Sequence, residues 1–245
     1  MKNKSILIIG ATSSIAIACA YYFAKKKYHL HLTSRNTEDL KEICQDLIVR
    51  YNISVKTFKL DMEHQDKFEN IIDQLNHVPN IVLCSVGYMI NQKKNKNISL
   101  ELSKTVNINF LGPALFFEKI VKKMEQKKSG VIIGISSVAG ERGRSSNYIY
   151  GSSKSAFSAY LSGLRNRLYN KNIRVITILP GFVYSKMTEG LKLPKILTAT
   201  PEEVAEAIYS GLKKKQEIIY VKRIWLYIMF VIRIIPETIF KKLNL

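Results

Sequence analysis

The sequence predicts an α/β protein with a Rossmann-type, doubly wound parallel sheet in a single domain, and three observations carry that expectation. Short, continuously apolar runs recur along the chain, as strands buried on both faces require. Stretches of helical length separate them, so strand and helix alternate from end to end. A turn of small residues, Gly10-Ala11-Thr12-Ser13-Ser14-Ile15-Ala16, joins the first run to the first helix. Such a turn lets backbone approach an anionic ligand, and the helix N-terminus that follows favours negative charge. With 245 residues, 47% of them hydrophobic, the chain can bury the core of one such domain.

The elements follow in order. Residues 5–9 are the first expected strand, and the helix after the turn reaches about Lys26. Residues 28–33 form a second strand, and residues 37–51 a helix with Leu40, Ile43, Cys44 and Leu47 on one stripe. Residues 54–60, 80–84, 131–135, 174–179 and 217–221 read as the remaining strands. Helices are expected over residues 66–75, 100–126 and 150–170. One more begins at Thr200-Pro201-Glu202-Glu203, where a threonine cap, a proline and a glutamate form a capping box. Residues 1–221 then make the sheet domain, and residues 222–245 a basic, apolar tail.

Charge and composition exclude several classes. The chain carries 38 basic and 19 acidic side chains, a net charge of +19. That excess suits nucleic acid, an anionic membrane or a phosphorylated ligand, and equally a proteome rich in lysine, asparagine and isoleucine. No nucleic-acid-binding module or arginine-rich arm is present, so no nucleic-acid partner is expected. Cys19, Cys44 and Cys84 are scattered, as in a reduced cytoplasmic protein. His29, His31, His64 and His77 show no metal-ligand spacing, and no metal is expected. Lys2 and Lys4 before an apolar stretch ending Ala18-Cys19-Ala20 imitate an export signal. The polar Thr12-Ser13-Ser14 interrupts it, and a strand, turn and helix account for every residue there.

The chemistry is expected between Ser136 and Lys154. Lys154 follows Tyr150 by four residues, so on a helix the two side chains share a face. An ammonium beside a phenol favours phenolate and lowers the tyrosine pKa, which suits proton transfer to a substrate oxygen. Ser137, thirteen residues before Tyr150, stands just past a strand that would deliver its hydroxyl to the same place.

The serine after a strand, the Tyr/Lys pair and the small-residue turn together resemble the short-chain dehydrogenase/reductase family over residues 5–215. The resemblance implies an NAD(P)-dependent oxidoreductase with Ser137, Tyr150, Lys154 and Asn109 as its catalytic residues. Asn107 competes with Asn109 for the last place. The family's Thr-Gly-x-x-x-Gly-x-Gly turn survives here only in Gly10, with Ser14 and Ala16 at the other glycine positions and Ile9 for the threonine. Gly10, Thr12, Ser13, Ser14 and Ile15 would then hold the cofactor pyrophosphate. After the second strand, Thr33-Ser34-Arg35-Asn36 offers a cation where NAD-binding members have a carboxylate, so Arg35 implies NADPH over NADH. Asp61 and Met62 match the adenine position. Gly87 keeps the close approach at the fourth-strand end, although Cys84-Ser85-Val86-Gly87 lacks the family's strand-tying asparagine. Pro180, Gly181, Val183 and Ser185 match the turn over the nicotinamide, and residues 186–199 the variable substrate lid.

The tail adds a second theme. As a helix, residues 224–235 extend about 18 Å, against roughly 30 Å of hydrocarbon core, and Arg233 and Pro236 interrupt a span. From Lys213 onward the chain holds eight basic and two acidic side chains, a net +6. Apolar and aromatic residues among cations suit an in-plane anchor on the inner face of an anionic membrane. Burial against a sister subunit in a homo-oligomer, or completion of the core, are the alternatives. The tail and the turn together are also similar to reductases of lipid-linked keto-sugars, which implies a lipid-linked ketone. A soluble or acyl-chain ketone would use the same residues, and a non-catalytic NADPH-binding regulator would not need them.

Overall fold

The computed structural model describes residues 4–75, 77–90 and 97–243. Lys2, and Asn244 and Leu245 at the end of the tail, lie outside them. The sheet strands are β1 (Ser5–Ile9), β2 (His29–Ser34), β3 (Val55–Lys59), β4 (Ile81–Cys84), β5 (Gly130–Ile135), β6 (Ile173–Pro180) and, last in sequence, Ile218–Val221. Two short strands, β7 (Phe182–Val183) and β8 (Thr198–Ala199), lie between, so the last strand is β9. The order is β3-β2-β1-β4-β5-β6-β9 with every pair parallel, and β7 pairs with β8 outside the sheet.

Strand β1 shows why the strands read as unbroken apolar runs. Ile6 and Ile8 enter the core on one face of the sheet, Leu7 and Ile9 the core on the other. A strand with both faces covered has no solvated side on which a polar residue could alternate. The helices α1 (Ser14–Lys25), α2 (Lys41–Tyr51), α3 (Phe68–Asp73), α4 (Ile98–Val106), α5 (Gly112–Lys127), α6 (Tyr148–Leu168) and α7 (Pro201–Lys213) form the two outer layers. Helix α7 opens with the expected box: Thr200 Oγ1 accepts from Glu203 N, and Glu203 Oε2 accepts from Thr200 N.

The helices expected over residues 37–51 and 66–75 open with 3₁₀ turns, Thr37–Leu40 and Gln65–Lys67, and a third expected helix departs further. The helix expected over residues 100–126 is two helices joined by a wider π-turn, Asn107–Leu111. The apolar stripe on either side keeps helical spacing, so periodicity conceals a single wide turn. Asn109 sits inside it, almost fully buried, while Asn107 is only half-buried.

After β9 the chain forms α8 (Ile224–Ile234) and, past Pro236, α9 (Glu237–Phe240). Helix α8 is two-faced. Trp225 and Met229 bury against Val138 and Leu179, with Phe182, Leu197 and Tyr220 around them. Ile224, Tyr227, Phe230, Val231 and Ile234 remain exposed. The inner face therefore completes a small core, as one of the tail alternatives required, and Trp225 is committed to protein. Its indole Nε1 donates to the Leu197 carbonyl at 2.9 Å. Arg142 fastens the tail further, reaching Glu237 Oε2 at 2.7 Å and the Arg233 carbonyl at 3.1 Å, with its guanidinium over the Phe240 ring. Among the described residues no helix is long and apolar enough to cross a membrane.

Candidate active site

The C-terminal ends of parallel strands leave a crevice where the chain turns away in opposite directions on either side of β1. Here that crevice is a cleft of ≈ 170 Å³ at the ends of β1, β2 and β4. Seven residues singled out from the sequence line it: Gly10, Thr12, Ser13, Arg35, Asp61, Met62 and Gly87. Gly10 has φ +78°, a conformation that a side chain would strain, and this swings the chain from β1 into α1. Ser13 caps α1 by accepting from Ala16 N at 3.2 Å. Ser14 and Ile15 form the first turn of α1, with Ile15 packed on the core, and neither lines the cleft.

Ser34, Ser85, Val86 and Tyr88 also line the cleft and were not anticipated there. Ser85 is informative because it stands where an asparagine was missed. Its hydroxyl meets that of Ser13 at 2.9 Å, so the α1 turn and the end of β4 are tied by side chains after all. Asn109 supplies a second tie. Its Oδ1 accepts from Tyr88 N at 2.7 Å, and its Nδ2 donates to the Tyr88 carbonyl at 2.8 Å and to Ser153 Oγ at 2.9 Å. The π-turn thus clamps the segment after β4 to α6, one residue before Lys154.

Ser137, Tyr150 and Lys154 come together past the end of β5. Ser137 starts a tight turn, Val138–Gly140, that lies directly on α6. Two glycines make this contact possible: a Cβ on Gly140 would come within 2.7 Å of Ser155 N, and one on Gly151 within 2.8 Å of the Ala139 carbonyl. Both are spaced like ordinary loop and helix residues, and only the packing reveals their purpose. The Ser137 hydroxyl lies near enough to the Tyr150 phenol to lower its pKa as a hydrogen-bonding partner. Ser137 Oγ also reaches the Pro180 carbonyl at 3.4 Å and accepts from Ala139 N at 3.1 Å.

Lys154 is 2% exposed, and its ammonium donates to the carbonyls of Ile135 at 3.0 Å and Val86 at 3.2 Å. Because Val86 also lines the cleft, Lys154 joins the hydroxyl pair to it. Burial pushes the Lys154 pKa down to about 8. Burial pushes the Tyr150 phenol up to about 12, and the Ser137 hydrogen bond acts the other way. The expected lowering of Tyr150 by the ammonium is thus not the leading effect. Lys154 Nζ lies 5.9 Å from the Tyr150 ring centroid and spends its hydrogen bonds on two carbonyls.

Pro180 ends β6, Gly181, Val183 and Ser185 follow it, and none of the four lines the cleft. Gly181 is covered by the Trp225 indole, which a Cβ there would overlap. Val183 is buried in β7 opposite Ala199, and the Ser185 hydroxyl lies 3.4 Å from Thr188 Oγ1. The segment expected as a lid, residues 186–199, holds two short turns, Lys186–Thr188 and Lys195–Leu197, before β8. No group of His, Cys, Asp or Glu among the described residues could hold a metal.

A family model described as short chain dehydrogenase matches residues 4–195. An uncharacterised oxidoreductase of Streptomyces coelicolor is 27% identical over 243 residues, covering 98% of this chain and 96% of that one. An NADP-dependent 3-hydroxy acid dehydrogenase of Schizosaccharomyces pombe is 25% identical over 234 residues, 89% of this chain and 90% of its own. A short chain dehydrogenase from Burkholderia cenocepacia, solved in complex with NADP, superposes with a TM-score of 0.85 at 15% identity. That likeness covers 99% of this chain and 98% of the other.

Proposed function

The chain belongs to the short-chain dehydrogenase family of NAD(P)-dependent oxidoreductases, and we propose that it reduces a ketone to an alcohol with NADPH supplying the hydride. The observation that carries this reading is the meeting of Ser137, Tyr150 and Lys154 beside a cleft suited to a dinucleotide. The residues present fit such a cofactor. Gly10 with its positive φ and the start of α1 make a cradle for a diphosphate, lined by Gly10, Thr12 and Ser13, with Ser14 and Ile15 behind them in the first turn of α1. Ser34 and Arg35 would take a 2′-phosphate, Asp61 and Met62 the adenine side, and Gly87 the ribose side. Residues 33–36 hold no carboxylate to prefer NADH, and the NADP-dependent relative supports the same choice. Tyr150 and Lys154 would bind the nicotinamide ribose. Pro180, Gly181, Val183 and Ser185 would border the nicotinamide ring, next to the Ser137–Pro180 contact.

Each residue then has a task set by its surroundings. Tyr150, held protonated by burial, gives its phenolic proton to the carbonyl oxygen as that oxygen gains negative charge. Ser137, already bonded to that phenol, steadies the same oxygen. Lys154 keeps a positive charge beside the phenolate left behind, which lowers the cost of forming it. Asn109 fixes the Tyr88 segment and Ser153, and through them the wall from which Lys154 reaches out. In this reading it also orders the water that returns a proton to Lys154. A panel of ketones including membrane extracts, followed by NADPH consumption, tests the reading. Wild-type protein that binds NADPH yet reduces nothing in the panel overturns it in favour of a regulatory protein.

The substrate in this reading is carried by lipid, and the protein works at the inner face of an anionic membrane. Support comes from the outer face of α8, where Ile224, Tyr227, Phe230, Val231 and Ile234 stand exposed beside Arg223 and Arg233, with Lys241 and Lys242 further on. The tail from 222 onward is then a docked brace with a membrane-facing side. Vesicle flotation tests the placement. A soluble homo-oligomer buried through these same residues is the outcome that replaces it.

A further inference from the structure

Four arginines of the described chain are partly withdrawn from water: Arg142, Arg144, Arg165 and Arg174. Three have partners. Arg142 holds Glu237, Arg165 holds the Val175 carbonyl and Thr177, and Arg174 reaches the Leu212 and Gln216 carbonyls. Arg144 has no side-chain partner among the described residues, and its Nε is buried without a hydrogen-bond acceptor. A guanidinium does not shed its charge, so taking one from water without an anion beside it carries a continuing cost. Burial accordingly disfavours the charged form of Arg144.

The place where this happens is a cavity of ≈ 300 Å³ between the loop that follows Ser137 and the end of the tail. Arg144, Ser145, Tyr148 and Lys241 give it two cations and two hydroxyls, while Phe240 and Leu243 give it an apolar wall. Glu237 also borders it, but its Oε2 is occupied by Arg142 at 2.7 Å, so the two remaining cations prevail. Tyr148, 51% exposed, sits in the first turn of α6, the same turn that carries Tyr150. The cavity therefore adjoins the chain segment that links the two proposed catalytic hydroxyls, and it shares no lining residue with the ≈ 170 Å³ cleft.

We propose that this cavity is a second anion site, separate from the cofactor cleft, in which Arg144 and Lys241 bind a phosphate-class group. Arg144 offers a planar fork of donors for two oxygens, and Lys241 adds a point charge from the tail. The apolar wall suits the organic part attached to that group. As a substrate site this rests on the ketone-reductase reading above; as a phosphate site it does not. The group belongs either to the ketone or to a lipid headgroup, and the two sources share one chemistry.

The test begins with protein saturated with NADP, so that the cofactor's own phosphate sites are filled, and titrates inorganic phosphate by calorimetry. Saturable binding is expected, weakened at least about ten-fold by Arg144→Gln and less by Lys241→Gln. Lys171→Gln, which removes an exposed charge past the far end of α6, should leave it unchanged. Circular dichroism and NADPH binding certify that the variants are folded, and Lys241 is exposed enough for its variant to serve alone if Arg144→Gln is not. No saturable binding in the wild type, or equal binding in both variants, overturns the site. Two further arms identify the source. A KM raised by Arg144→Gln for dihydroxyacetone phosphate but not for dihydroxyacetone, at unchanged kcat, assigns the group to the substrate. Loss of flotation on phosphatidylglycerol vesicles, with none on phosphatidylcholine in either form, assigns it to a headgroup. A reductase reading that fails leaves the calorimetric result standing, so the two failures are distinguishable.

Discussion

Ser13 Oγ and Ser85 Oγ lie 2.9 Å apart, so a pair of hydroxyls stitches the start of α1 to the end of β4. Removing one side of the pair strips a half-buried hydrogen bond from the floor of the cleft. Ser85→Ala should cost about 1 kcal/mol of stability and weaken NADPH about five-fold. Chemical denaturation and a fluorescence titration of the cofactor measure the two. An unaffected affinity would detach the serine pair from cofactor binding.

Tyr150→Phe removes a phenol bonded to Ser137 and leaves the aromatic ring in place. Turnover should fall by at least about 10²-fold while NADPH still binds, weakened by no more than about five-fold for the lost ribose contact. Ser137→Ala should lower turnover as well and let Tyr150 ionise less readily, because the bond that lowers its pKa is gone. Single-turnover kinetics of both variants decide the matter, and a Phe variant with wild-type rates would remove Tyr150 from the chemistry.

Arg35 is exposed at the rim of the cleft with no carboxylate in residues 33–36. Arg35→Ala should weaken NADPH by about ten- to a hundred-fold and NADH hardly at all. Equal losses for the two cofactors would place Arg35 outside the site.

The pH dependence follows from opposite effects of burial on a cation and a neutral acid. Lys154 is held down to about 8, so it is charged below that pH and loses its proton as pH rises through it. Tyr150, pushed up to about 12, stays protonated across the same range. Ketone reduction should therefore be level below about pH 8 and decline above it, while alcohol oxidation, which needs the phenolate, should rise with pH. Lys154→Arg keeps its charge throughout, so whatever rate remains should lose the step near 8. A step that persists in this variant assigns the titration to another group.

The two faces of α8 should respond differently. Trp225→Ala empties a site packed on Gly181 and severs the bond to Leu197, and should cost about 3–5 kcal/mol. Truncation after Val221 should act likewise and impair reduction even of a small soluble ketone, because Val138 and Leu179 lose their cover. Tyr227→Ser with Phe230→Ser should spare that activity and stability, since both side chains are exposed, and reduce flotation on anionic vesicles. Intact flotation after the double change, with a dimer becoming a monomer, identifies the face as a subunit contact.

Much of this fold is legible in the sequence. The strands could be read because both sheet faces are buried, which leaves runs such as Ser5–Ile9 without polar breaks. The Tyr/Lys pair could be read because helical spacing fixes which side chains share a face. What escaped were features set by contacts between distant segments. Ser85 meets Ser13 across 72 positions, and Asn109 meets Ser153 across 44, distances over which local pattern carries no signal. The tail escaped for another reason. Trp225 and Phe230 look alike in composition, and only the packing offered by Leu179 and Gly181 decides that one turns inward.

The pairing of Phe182–Val183 with Thr198–Ala199 has a consequence for how this scaffold can change. It closes residues 184–197 into a cassette whose two ends meet before the segment between them begins. A replacement of different length inherits an entry and exit already held together, and doubling its length costs only about 0.6 kcal/mol in closure entropy. The segment can therefore be exchanged as a graft, on the condition that the incoming one presents a backbone carbonyl where Leu197 now accepts the indole proton of Trp225.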